Sequence, residues 1–100
     1  MKGSHSVSIL QGKEKVCYLT GTTYNLHKHH IIFGTGYRAI SDKNGLWVWL
    51  TGALHNQSKD GVHFNRELDL QLRRECQAKY EEEHSREEWI ALTGRNYLDV

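Results

Sequence analysis

The apolar residues of this chain change their spacing once, at Asn65, and the change separates a strand-forming part from a helical part. Before Asn65 they fall in short runs: Val16-Cys-Tyr-Leu19, Asn25-Leu-His-Lys-His-His-Ile-Ile-Phe33 and Leu46-Trp-Val-Trp-Leu50. β-Branched and aromatic side chains suit extended backbone, so each run is expected to be a strand. Gly21 in Thr20-Gly-Thr-Thr23 marks a turn, Gly34-Thr-Gly36 breaks the second run, and Ser41-Asp-Lys-Asn-Gly45 reads as a further turn cluster built on Asn44-Gly45. The last two runs, joined by a long loop, form an irregular hairpin. Thr51 or Gly52 then begins a short helical stretch through Leu54, His55 and Asn56, which Lys59-Asp-Gly61 ends.

From Asn65 onward the period is helical. Asn65 is a good N-cap, and Arg66 to about Glu83 reads as one long helix. Leu68, Leu72, Cys76 and Tyr80 recur along one face of it. Ser85-Arg-Glu-Glu88 is a capping box that opens a second helix carrying Trp89, Ile90 and Leu92, and Gly94 is its stop. The expected fold class is α+β: a hairpin, a short helix and two C-terminal helices over 66–94. Residues 1–13 are expected to be a flexible arm, with Met1–Ser6 given no function, and 14–100 a single domain.

Charge and cysteine usage exclude little. The formal net charge of +1 is below what a dedicated nucleic-acid binder usually carries. No apolar run is long enough to span a bilayer, and no basic-then-apolar leader opens the chain, so a cytoplasmic location is expected. Cys17 and Cys76 are read as reduced thiols.

Histidine is the informative residue. The chain has 7 histidines and no proline, and His27, His29, His30, His55 and His63 fall close together. Neutral imidazole is a common metal ligand, and a catalytic site needs about three protein ligands with open positions. The ordinary alternative is that such histidines are solvated surface residues, and His5 and His84 are assigned to it. His29 and His30 meet a difficulty, because neighbours on a regular strand face opposite ways. Both can serve one site only where the strand bends or ends. His27 shares a face with His29, which makes those two a rival ligand pair.

Leu26-His-Lys-His-His-Ile31, Gly34-Thr-Gly36, Gly45-Leu-Trp-Val-Trp-Leu-Thr51, His55-Asn56 and Gly61-Val-His63, in this order, resemble the HNH nuclease motif. The chain looks most like the short HNH nucleases of phages and prophages of Gram-positive bacteria. The motif covers 17–65, and Gly61-Val-His-Phe-Asn-Arg-Glu-Leu-Asp-Leu70 and Gly94-Arg-Asn-Tyr-Leu98 are also similar to that group. The resemblance implies a ββα-metal fold and a metal-dependent DNA endonuclease. It implies His29, His55 and His63 as metal ligands and His30 as the general base that takes a proton from water. It places Asn56 in the catalytic set, where Asn56 and His55 compete for one role. The implied cofactor is one divalent cation, Mg²⁺ first, with Mn²⁺, Ni²⁺ or Zn²⁺ as alternatives.

The chain departs from the motif in three ways. Of the four positions that hold a second, structural zinc in many members, Cys17, Thr20, Thr51 and Leu54, only Cys17 is a thiol, so no structural zinc is expected. The usual proline after the histidine pair is missing. The step from His55 to His63 is longer than in colicin-type nucleases. Lys28, Arg38, Lys43, Lys59 and Arg66 flank the motif as candidate phosphate contacts. Arg73, Arg74 and Lys79 are interspersed with Glu75, Glu81 and Glu82, which reads as solvent pairing. Tyr24, Tyr37 and Trp47 are candidate base-stacking residues, with Trp47 better suited to the hairpin core.

Three functions compete. The first is a DNA endonuclease of this class, with DNA as partner, no membrane, and phage packaging or recombination proteins as possible neighbours. The second is a non-catalytic nucleic-acid-binding module on the same scaffold. The third is a metal-binding or helical interaction protein.

Overall fold

Strands β1 (Leu26–His30) and β2 (Trp47–Thr51) pair antiparallel, with His27 opposite Leu50, His29 opposite Val48 and His30 opposite Trp47. The computed structural model describes residues 7–56 and 61–98. Among the described residues, four helices accompany the hairpin: α1 (Tyr37–Asn44), α2 (Gly52–His55), α3 (Arg66–Tyr80) and α4 (Arg86–Thr93). The result is a small α+β fold, with a radius of gyration of 13.1 Å. No helix among the described residues is long and apolar enough to cross a membrane.

Alternation along the strands divides the sheet into two faces. His27, His29, Val48 and Leu50 share one face, and Val48 and Leu50 are fully buried on it. Lys28, His30, Trp47 and Trp49 share the other, where the Lys28 ammonium lies 4.4 Å from the centre of the Trp47 ring. The hairpin continues directly into α2. The core joins Ile31, Ile32, Leu46, Val48 and Leu50 to Leu72 and Cys76 of α3 and Trp89 of α4. The expected stripe on α3 therefore faces inward. Burial also drives the Cys76 thiol up to about 12, which leaves it protonated and inert. Asn65 caps α3 by accepting from the Leu68 amide at 3.2 Å, and the capping box between Ser85 and Glu88 of α4 is formed.

Several sequence expectations are corrected. Residues 16–19 form no strand. The amide and carbonyl of Cys17 close a local turn with Thr22 and Gly21, and the Tyr18 amide makes a single backbone bond to β2, at Trp49 O, 2.8 Å away, which is not a ladder. The turn cluster at 41–45 is instead the end of α1. Its turn-forming residues are used in tertiary contacts: Ser41 is buried, donates to Ile32 O and accepts from Ile32 N. Gly45, at φ 75°, is the left-handed cap that stops the helix. Helix α3 ends at Tyr80, before Glu83, because the bonds from Glu82 to Lys79 and from Glu83 to Tyr80 tighten into turns.

The described part of the arm, 7–13, is packed. Ser8 is buried, Ile9 and Leu10 lie against the core, and the Ile9 amide donates to Gly45 O at 2.9 Å. The stop expected for α2 at Lys59-Asp-Gly61 lies, for 59 and 60, outside the described residues. The helix has already ended at His55, with Asn56 as its cap.

Candidate metal centre

The difficulty posed by strand alternation is resolved where β1 stops. Its last residue is His30, and the next two, Ile31 and Ile32, are both buried. The strand ladder is not continued past His30, and the chain bends at Ile31 and Ile32. The bend leaves His29 and His30 at the end of the hairpin, lining one cleft of about 270 Å³ with His55, Asn56 and His63.

His29, His55 and His63 converge in it. One ring nitrogen from each lies within 4.8 Å of the others, so the three could hold a metal ion. His29 arrives from β1 and His55 from the end of α2. His63 is brought back by two backbone hydrogen bonds, Val62 N to Leu54 O at 2.7 Å and His63 N to His55 O at 3.2 Å. The long step from His55 to His63 is thereby absorbed in an excursion that returns beside its start. His55 Nε2 and His63 Nε2 are 3.1 Å apart. Two nitrogens each about 2.1 Å from a shared ion have a spacing of this size.

His29 provides the firmest indication of a ligand. Its side chain is 1% exposed, and its Nε2 has no hydrogen-bond partner among the described residues. A buried ring nitrogen is normally satisfied, and leaving one unpaired costs about 1–3 kcal/mol. Burial first, and then the neighbouring His55 and His63 rings, push the His29 pKa down to about 3. Burial and then His63 and His27 push that of His55 to about 4. At neutral pH both rings are uncharged and keep a lone pair for a cation.

His30 occupies the rim of the same cleft. Its Nε2 lies 3.6 Å from the Asp42 carboxylate, which also pairs with Lys28. Burial lowers the His30 pKa, Asp42 opposes the shift, and the net value is below the ordinary one. Lys28 holds the Asp42 carboxyl below its usual range, so the group is ionised beside His30 at neutral pH. Asn56 caps α2 and is exposed at the cleft.

The structure adds residues that the sequence reading missed. Asp42 escapes because Ser41-Asp-Lys-Asn-Gly45 has the composition of a turn, whereas 41–44 close α1. The glycine at 45, in the position of a left-handed helix stop, was the signal that could have revealed it. Phe33 stacks edge-on against His63 with ring centres 5.3 Å apart, and the Arg73 guanidinium covers Phe33 at 4.8 Å. Among the candidate phosphate contacts, Lys28 is tied to Asp42, Arg38 is exposed at the cleft, Arg66 lies beside His63, and Lys59 is outside the described residues. Arg73 pairs with Asp69 at 3.0 Å and Lys79 with Glu82 at 3.2 Å, so these two cations are used within α3 and the turn after it. Tyr24 is 78% exposed, whereas Trp47 is buried in the hairpin.

Around Cys17 the surroundings are those of a hydrogen-bonded thiol. Burial works to raise its pKa. Hydrogen bonds with the Thr20 side chain and with the Thr51, Leu19 and Thr20 backbones outweigh burial and hold it below the ordinary value. Thr20 thus meets Cys17 through its hydroxyl and its backbone, and Thr51 through its backbone.

Compared with known proteins, the chain matches no family model, no curated protein and no solved structure.

Proposed function

We propose that this chain is a metal-dependent endonuclease of the ββα-metal, HNH type, hydrolysing phosphodiester bonds in DNA. The observation that carries the reading is the unpartnered, buried His29 Nε2 converging with His55 and His63, beside a separate imidazole, His30, at the end of the same strand. An antiparallel strand pair, with α1 in its connection and β2 running straight into α2, supports it.

When bound, a divalent cation supplies Lewis-acid stabilisation of the negative charge that builds on the phosphate and on the departing 3′ oxygen. The other tasks belong to the chain. His30, uncharged at neutral pH, accepts a proton from the attacking water, whose oxygen forms the new bond to phosphorus as the bond to the 3′ oxygen breaks. Asp42 faces the imidazolium that results and offsets its charge. Asn56 and Arg38, exposed at the cleft, are placed to meet phosphate oxygens.

The donor set bears on the cation. A converging group of three imidazoles with no carboxylate among them suits Zn²⁺ or Ni²⁺ better than Mg²⁺, which prefers oxygen ligands. Cleavage of supercoiled plasmid with Mg²⁺, Mn²⁺, Ni²⁺ and Zn²⁺ in parallel tests the proposal. Metal-dependent nicking that a chelator abolishes is expected. DNA binding without cleavage under every ion would favour a non-catalytic nucleic-acid-binding module, and absence of both would reject the nuclease reading.

A further inference from the structure

We propose that His27 is a positioning residue for the metal centre: it holds the His55 ring by its Nδ1 edge, so that Nε2 of His55 faces His29 and His63. The inference rests on the reading of those three histidines as a cation site.

His27 shares the face of β1 that carries His29, and α2 brings His55 against it. The Nδ1 atoms of His27 and His55 are 3.1 Å apart, and the rings meet edge to face at 87°. The other nitrogen of His55 is the one that faces His63. The two ring nitrogens of an imidazole point away from each other, so His27 addresses the back of His55 and is not placed to share an ion bound at its front.

A neutral imidazole carries one N–H and one lone pair. If the lone pair of His55 is at Nε2, where a cation would sit, its hydrogen must be on Nδ1. That hydrogen is donated to Nδ1 of His27, whose own hydrogen then lies on Nε2. The contact therefore fixes both tautomers and the His55 ring plane together. Partners of this kind, bonded to the far nitrogen of a ligating histidine, orient the ring and raise its basicity.

The experiment uses the full chain and two readouts. Calorimetric titration with Zn²⁺ compares the wild type with His27→Ala, His27→Asn and His55→Ala. A weakening of about 10- to 100-fold is expected for His27→Ala. Recovery of most of the affinity is expected for His27→Asn, whose side-chain oxygen can accept where Nδ1 did. Unchanged affinity in His27→Ala overturns the proposal. A loss as complete as that of His55→Ala, with no recovery by Asn, makes His27 a ligand and also overturns it. Nitrogen-15 spectra of the wild-type imidazoles give a second test that needs no variant and no metal. The His55 hydrogen on Nδ1 is expected, and its location on Nε2 would contradict the inference. If the wild type binds no Zn²⁺, the cation reading fails by itself, and the tautomer alone decides whether His27 holds His55.

Discussion

His63 Nε2 lies 3.1 Å from His55 Nε2 across 8 positions of chain. The pairing of Val62 with Leu54 and of His63 with His55 along the backbone sets this distance. The His63 ring can therefore be removed without losing the backbone bonds that shape the segment. His63→Ala is expected to keep the fold, judged by its circular dichroism and melting, and to weaken Zn²⁺ binding by more than about 100-fold, beyond the effect of losing an outer partner. Wild-type affinity in a folded His63→Ala protein would show that the ring is a bystander.

His30 and His29 are neighbours with separable roles. His29 belongs to the converging group and His30 does not, while both line the cleft. His30→Ala is expected to lower plasmid nicking by about 10²- to 10⁴-fold, the contribution of a general base, with Zn²⁺ affinity nearly unchanged. Asp42→Asn is expected to lower the turnover number less than His30→Ala does, with little change in KM, because Asp42 acts through His30. A fully active His30→Ala enzyme would move the base elsewhere.

The histidine positions were legible because their chemistry is local: a pair at a strand end, one at a helix end and one shortly beyond. Their convergence was harder to read, since it depends on β1 stopping at His30 and on a backbone return at 62–63 that no spacing rule encodes. The C-terminal helices were legible through Asn65, the capping box and Gly94, which act within a single turn. Helix α1 was not. Ser41, Asp42 and Asn44 have turn propensity, and what keeps them helical is tertiary: the Ser41 hydroxyl bonding to Ile32, and Asp42 pairing with Lys28. The same contacts bring Asp42 to His30, so the missed helix and the missed site residue have one cause.

The crowded imidazoles make the metal-free protein acid-sensitive. Above about pH 6.5 neither the folded nor the unfolded chain protonates His29 or His55 appreciably. Below it the unfolded chain takes up protons that the folded one refuses until about pH 3 at His29 and about 4 at His55. The unfolded state then binds more protons, so stability falls as the pH drops from about 6.5 toward 4. The slope approaches about 1.4 kcal/mol per pH unit for fully buried His29 and is smaller for partly exposed His55. Urea titrations at pH 7 and pH 5 measure this. Equal stabilities would contradict the desolvation of these rings. Zn²⁺ is expected to raise the melting temperature at pH 7, since it binds the folded chain.

Gly45 joins the packed N-terminal segment to the hairpin, and substitution there separates two effects. At φ 75° an added Cβ strains the backbone and would come 2.3 Å from Val7 O and 3.1 Å from Ile9 Cγ2. Gly12, at φ 62°, has the same left-handed backbone with nothing within 4 Å of such a Cβ. Left-handed strain in a non-glycine residue costs about 1–3 kcal/mol, which both alanine variants should show. Gly45→Ala must in addition push residues 7–9 away, breaking the bond from the Ile9 amide to Gly45 O and loosening the junction at which α1 hands over to β2. It is therefore expected to melt well below Gly12→Ala, by several degrees at about 4–8 °C per kcal/mol for a chain of this size. The loosened junction also carries Asp42, so Gly45→Ala should lower nicking more than Gly12→Ala does at temperatures where both are folded. Coincident melting curves for the two variants would mean that the segment before residue 13 contributes nothing to holding α1 in place.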